Sequence, residues 1–369
     1  MARAQLVALV ATAAALALAL AAPPAADARN ARVKSIWGPA EVEGLSQFPI
    51  YEDLGVGIYQ VQLAWDGAAP TRPASPRDPG DPAYQWPSEL DLVLSEARRY
   101  GIQVSVLLIW SPSWANGGRD RRWAPTRPKD FADFAAAASK RYPGVRYWMV
   151  WSEPSKAGNF QPLAEATAVR KRLTPVQRRG PRIYATMLDA TYGALKRVGR
   201  RDLVIGGNTF TTGTIVPLNF IRAMRLPGGR RPRLDLYGHN PFTLRRPDLR
   251  EDPFRSGYAD FSDLDTLAGW VDRYLWRRRG TKRPGLFLSE FTLPTDHPNH
   301  EFNFYVTREI QAAWLARALR IARSWKRIHT LGWLSLYDDP PRPEGDEVNR
   351  GLLERDGGRK PSYQAYKEG

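Results

Sequence analysis

Residues 147 to 154 read Tyr147-Trp148-Met149-Val150-Trp151-Ser152-Glu153-Pro154. Five consecutive apolar residues suit a strand covered on both faces, as in a parallel sheet, and Pro154 cannot donate to a continuing ladder. A second stretch, Gly285-Leu286-Phe287-Leu288-Ser289-Glu290-Phe291, repeats the arrangement. Each is an apolar strand tipped by a glutamate.

Outward from these two, short β-branched runs alternate with helical patterns. The strand expectations are Val33 to Ile36, Ile58 to Leu63, Val104 to Ile109, Tyr147 to Trp151, Leu203 to Ile205, Leu234 to Tyr237, Leu286 to Leu288 and Leu331 to Leu336. The clearest helices are Ser88 to Tyr100, Lys129 to Arg141, Ile183 to Val198, Leu264 to Arg279 and Thr307 to Trp325, with apolar residues at three- and four-residue steps. Eight β-α units predict an α/β fold, a (β/α)8 TIM barrel in a single domain over residues 29–369. Two insertions follow strands, where a barrel carries its functional loops: Pro70 to Pro87, stiffened by six prolines, and Phe291 to Tyr305. The first reads as a structured cleft wall.

Before the barrel, Arg3 precedes an Ala/Leu/Val run from Leu6 to Ala22, and Ala26-Asp27-Ala28 offers a cleavage point. Residues 1–28 are therefore expected to be a secretory signal peptide, or else an uncleaved anchor, and the mature chain is expected outside the cell. No later run is long enough to span a bilayer. The sequence has no cysteine, which excludes disulfides, thiol nucleophiles and thiolate metal sites. Of four histidines, His297 and His300 share a Pro-containing loop without a matching carboxylate pattern, so neither a metal nor any other cofactor is expected.

The formal net charge is +16, with clusters such as Arg277-Arg278-Arg279 and Lys196-Arg197 with Arg200-Arg201. Such a surface suits contact with anionic envelope polymers or an acidic polysaccharide. No nucleic-acid module accompanies it, and scattered arginines also serve as an ordinary solvated face.

In a barrel the ends of different strands converge on one pocket, so Glu153 and Glu290 are expected to share a site. Glycosidic hydrolysis needs such a pair: one carboxylic acid protonates the leaving oxygen while the other carboxylate acts on the opposite side of the anomeric carbon. Taken singly, either glutamate also reads as a helix cap or a solvated loop residue.

With these residues placed, the chain resembles glycoside hydrolase clan A, TIM-barrel retaining glycosidases, in its β-xylosidase/iduronidase-like and cellulase-like families. Trp151-Ser152-Glu153-Pro154 is similar to the clan's Trp-Asn-Glu-Pro after strand four, and Leu288-Ser289-Glu290-Phe291 to its nucleophile segment after strand seven. Tyr84-Gln85-Trp86-Pro87, Gly101-Ile102-Gln103-Val104, Trp110-Ser111-Pro112-Ser113-Trp114-Ala115-Asn116 and Lys360-Pro361-Ser362-Tyr363 extend the likeness over nearly the whole mature chain. The resemblance implies Glu153 as acid/base, Glu290 as nucleophile and a carbohydrate substrate.

Two positions depart from the clan. Ser152 replaces the Asn that holds the sugar 2-hydroxyl, and His239-Asn240-Pro241 replaces a His-x-Tyr whose Tyr supports the nucleophile. Trp37, Trp110, Trp114 and Trp333 are candidate sugar platforms, Ser152, Asn208 and His239 candidate polar contacts; core packing is the alternative for each tryptophan. The functional expectation is a secreted retaining glycoside hydrolase. The alternatives are a carbohydrate-binding barrel of weak or no activity and an exported polyanion binder.

Overall fold

The structure is a computed structural model that describes residues 34–163, 172–276, 280–299, 301–302, 304–341 and 347–369. The expected signal segment, His300 and Arg277 to Arg279 lie outside the described residues. No helix among those described is long and apolar enough to cross a membrane.

Eight parallel strands close into one barrel. They are β1 (Lys34–Trp37), β2 (Ile58–Ala64), β3 (Gln103–Ile109), β4 (Tyr147–Val150), β5 (Leu203–Phe210), β6 (Leu236–Asn240), β7 (Gly285–Phe291) and β8 (Ile328–Leu334). Ser35 closes the ring, pairing with Ile58 of β2 on one side and Gly332 of β8 on the other. Helices follow each strand in turn: α1 (Phe48–Asp53), α2 (Ser88–Arg99), α3 (Pro128–Arg141), α4 (Arg179–Val198), α5 (Pro217–Ala223), α6 (Leu264–Tyr274), α7 (Arg308–Ser324) and α8 (Pro361–Glu368). The α/β barrel expectation therefore holds.

The apolar runs read from the sequence are buried along their whole length in β4, and almost so in β3. Helix α3 starts at Pro128, where a missing N–H costs nothing, and buries an alanine-rich face. Three alanines, Ala132, Ala136 and Ala194, form the α3–α4 contact.

Strands β5 and β6 run further than their β-branched residues suggest. Gly206, Gly207 and Gly238 continue them, although glycine weakens an isolated strand. Close packing is the reason: a Cβ on Gly238 would lie 1.6 Å from Asn208 Oδ1, and one on Gly206 2.5 Å from Leu188.

The Pro70–Pro87 insertion is a structured wall, as expected. Tyr84 donates to Pro76 O at 2.6 Å, Trp86 to Pro79 O at 2.9 Å, and the two rings stack at 4.7 Å. At the chain's end, buried Lys360 donates to Asp338 at 2.9 Å and Thr295 at 3.0 Å, while Lys34 reaches the carbonyls of Leu54, Tyr366 and Lys367. These bonds tie α8 back to the barrel.

Candidate active site

Glu153 follows β4 by three residues, and Glu290 is the penultimate residue of β7 itself rather than a loop residue. Both lie at the C-terminal end of the barrel, where backbone strain concentrates. Trp110, Trp151, Glu153, Asn208 and Ser335 all take positive φ, between 42° and 79°, without being glycine. Such conformations persist where surrounding bonds over-determine them, and they cluster at functional sites. Here Asn208 Nδ2 donates to the Trp151 carbonyl at 2.6 Å and fixes the turn that carries Glu153.

Glu153 is 5% exposed, and both its oxygens are bonded. Asn240 Nδ2 donates to Oε1 at 3.0 Å, and Asn159 Nδ2 to Oε2 at 3.1 Å. Lys156 Nζ stands 2.8 Å from the same Oε2 and lies over the Phe210 ring. The turn makes this contact: Lys156 N donates to Glu153 O at 2.9 Å, bringing the side chains three residues apart together.

Glu290 is held by its neighbour. Ser289 O accepts from Gln60 Nε2 at 2.8 Å and from Trp37 Nε1 at 3.1 Å, and Ser289 Oγ donates to Gln60 at 3.0 Å. Among the described residues no hydrogen bond reaches the Glu290 carboxyl. Burial first, then the charge of Glu153, push it up to about 8, with Lys156 and Arg350 pulling the other way.

The other expected contacts divide. Ser152 stands half-buried beside Glu153, and Trp37 and Trp110 are half-buried at the ends of β1 and β3. Arg121 covers the Trp110 ring at 4.7 Å. Trp114 belongs to the wall: its indole donates to Ala69 O, Arg72 covers its face at 4.5 Å, and Trp65 meets it edge-on.

Two expectations are corrected. His239 is fully buried, with Nδ1 on Thr209 at 2.8 Å and Nε2 on Ala259 O at 2.8 Å, so no ring nitrogen remains for a ligand. Burial pulls it down to about 4, which keeps it neutral. Trp333 is 1% exposed against Phe291, so it offers no face for a sugar.

Sequence reasoning missed Asn240, Lys156, Asn159 and Gln60. The signal for Lys156 was its three-residue spacing from Glu153, and for Asn240 its place next to His239. Among the described residues no three His, Asp or Glu side chains are grouped to hold a metal ion.

No family model matches the sequence, and no curated protein matches it. Solved structures do. A family 39 glycoside hydrolase from the gut symbiont Bacteroides cellulosilyticus WH2 superposes with a TM-score of 0.67 at 19% identity, covering 93% of this chain and 64% of that one. The fold shared with it is the eight-stranded α/β barrel. A glucosidase from Croceicoccus marinus gives 0.62 at 16% identity over 92% of this chain and 67% of that one. A monomeric beta-xylosidase from Caulobacter crescentus CB15 gives 0.60 at 16%, over 91% and 67%. The chain thus spans about two thirds of the length of these structures, or slightly less. At these identities the likeness is one of fold.

Proposed function

We propose that the protein is an exported glycosidase that cleaves O-glycosidic bonds with retention of configuration. One observation carries the reading: two glutamates stand at the ends of β4 and β7, where burial and then the charge of Glu153 raise Glu290 to about 8. Glycoside hydrolysis divides its acid and nucleophile roles between two such carboxyls. The family 39 barrels that the fold matches support the same chemistry, as does the Trp151-Ser152-Glu153-Pro154 segment.

In the proposed reaction Glu290 attacks the anomeric carbon as the bond to the leaving oxygen breaks, and Glu153 gives that oxygen its proton. Water then attacks the glycosyl ester, Glu153 takes the water's proton, and Glu290 leaves as a carboxylate. Asn240 and Asn159 orient Glu153 throughout, while Gln60 and Trp37 hold the strand end that carries Glu290. In the first step Glu153 is the proton donor and Glu290 the attacking carboxylate.

The contact of Lys156 with Glu153 favours a second reading, a barrel that binds glycans without turnover. Lys156 on the acid and, among the described residues, the lack of donors to Glu290 are the features that support it. A panel of aryl glycosides followed by proton NMR separates the two. Hydrolysis with retained anomeric configuration, lost in Glu290→Gln, supports the enzyme; binding without hydrolysis across the panel supports the alternative, and an inverted product contradicts the mechanism.

A further inference from the structure

A cavity of about 1,160 Å³ lies between the loop after β3, the loop after β4, the start of α4 and the segment after α5. It exceeds the roughly 300–1,000 Å³ of ordinary small-ligand pockets, so it suits an extended ligand. Arg119, Arg179, Arg182 and Arg225 line it, and no aspartate or glutamate does among the described lining residues.

Several arginines elsewhere find carboxylates: Arg233 meets Asp189, Arg245 meets Asp260 and Asp263, and Arg308 meets Asp296 and Glu354. Among the described residues the four in the cavity do not. Arg225 is half-buried and donates only to the carbonyls of Met224, at 2.7 Å, and Ile221. Arg119 lies over the Trp123 ring at 4.3 Å, and no carboxylate or hydrogen-bond acceptor engages the guanidinium of Arg179 or Arg182 among the described residues. Arg119, Arg179 and Arg182 are exposed, so their guanidinium groups are open to donate charge-assisted hydrogen bonds to a ligand bearing several anionic groups.

The cavity is joined to the site through one loop. Pro162, in its lining, is three residues from Asn159, the donor to Glu153. Gln161 between them exchanges backbone bonds of 2.8 Å with Arg122 and Ala124, and Trp123 lines the cavity.

We infer that this cavity is a binding site for an anionic glycan, a polymer whose carboxylate or sulfate groups the four arginines engage. The inference rests on the proposed glycosidase role for the polymer's identity. Among the described lining residues the cavity offers no stacking platform of the kind that single-stranded nucleic acid needs, because the one aromatic ring there, Trp123, is already covered by Arg119.

The test compares Arg179→Ala/Arg182→Ala with Arg200→Ala/Arg201→Ala, which removes the same charge from exposed positions past the far end of α4. Affinities for polygalacturonate, dextran sulfate, neutral xylan and oligo-dT are measured by calorimetry at low and physiological salt. The cavity variant is expected to weaken binding of at least one anionic glycan about tenfold or more, as for two lost charge-assisted bonds, and the control variant to leave it within about twofold. The preferred glycan identifies carboxylate or sulfate. Equal losses in both variants, equal binding of neutral xylan, tighter binding of oligo-dT, or no anionic-glycan binding each overturn the inference. Hydrolysis of a small aryl glycoside by the cavity variant is expected to match wild type, so a failure here is distinguishable from a failure of the glycosidase reading.

Discussion

Lys156 Nζ lies 2.8 Å from Glu153 Oε2, so the carboxyl proposed to give up a proton rests against a cation. The same lysine pulls Glu290 down while burial and Glu153 push it up to about 8. A nucleophile acts ionised, so the limb of kcat/KM that reports Glu290 is expected near pH 8, with activity rising through it. Lys156→Met removes a charge that favours the ionised Glu290. That limb is then expected to move up by about half to one pH unit. An unmoved or lowered limb contradicts the coupling.

Glu290→Gln tests the cost of burying that carboxyl. Its folded value is raised above 4.5, so the folded state binds more protons than the unfolded one, and stability declines as pH rises from about 4.5 to 8. The amide removes this loss. The variant is expected to be inactive and to exceed wild-type stability by on the order of 2 kcal/mol at pH 8.5, with little difference at pH 4.5. Denaturant unfolding at both values measures it, and a gain confined to acid pH would reverse the sign.

Asn240→Ala removes the donor to Glu153 Oε1 at 3.0 Å. A hydrogen bond to a charged group is worth roughly 1.5–3 kcal/mol, or about a ten- to hundredfold loss in kcat. KM is expected to change little, because the bond orients the acid rather than the sugar. Steady-state kinetics showing a loss only in KM would reassign Asn240 to substrate binding.

Gly238→Ala is expected to destabilise the barrel by more than about 3 kcal/mol, since its Cβ would sit 1.6 Å from Asn208 Oδ1. Adding Asn208→Gly removes the clash and suits the positive φ at that position. Partial recovery of Tm in the double variant supports the contact; a wild-type Tm in the single variant contradicts it.

The barrel and its two glutamates were legible because β4 and β7 are unbroken apolar runs ending in Ser-Glu. The glycine-bearing ends of β5 and β6 were not, since Gly206 and Gly238 serve close approach rather than strand propensity. Side-chain direction was the larger difficulty. Successive residues of a strand face opposite sides, so a one-residue error sends the argument to the wrong partner. His239 turns to Thr209 and Ala259 while Asn240, one residue on, reaches Glu153. Trp333 is buried against Phe291 for the same kind of reason, and nothing in its neighbouring residues marks which side is wet. Lys156 and Asn159 sit in a loop whose turn, and therefore whose contacts, only the folded chain displays.

The division of labour between Glu153 and Glu290 is tested most directly by azide rescue on an aryl glycoside with a good leaving group. Glu153→Gly is expected to yield a glycosyl azide of retained configuration, because azide intercepts the ester on Glu290. Glu290→Gly is expected to yield the inverted azide by direct attack from the vacated side. The reverse pattern, or turnover that survives loss of Glu290 without azide, would contradict the account.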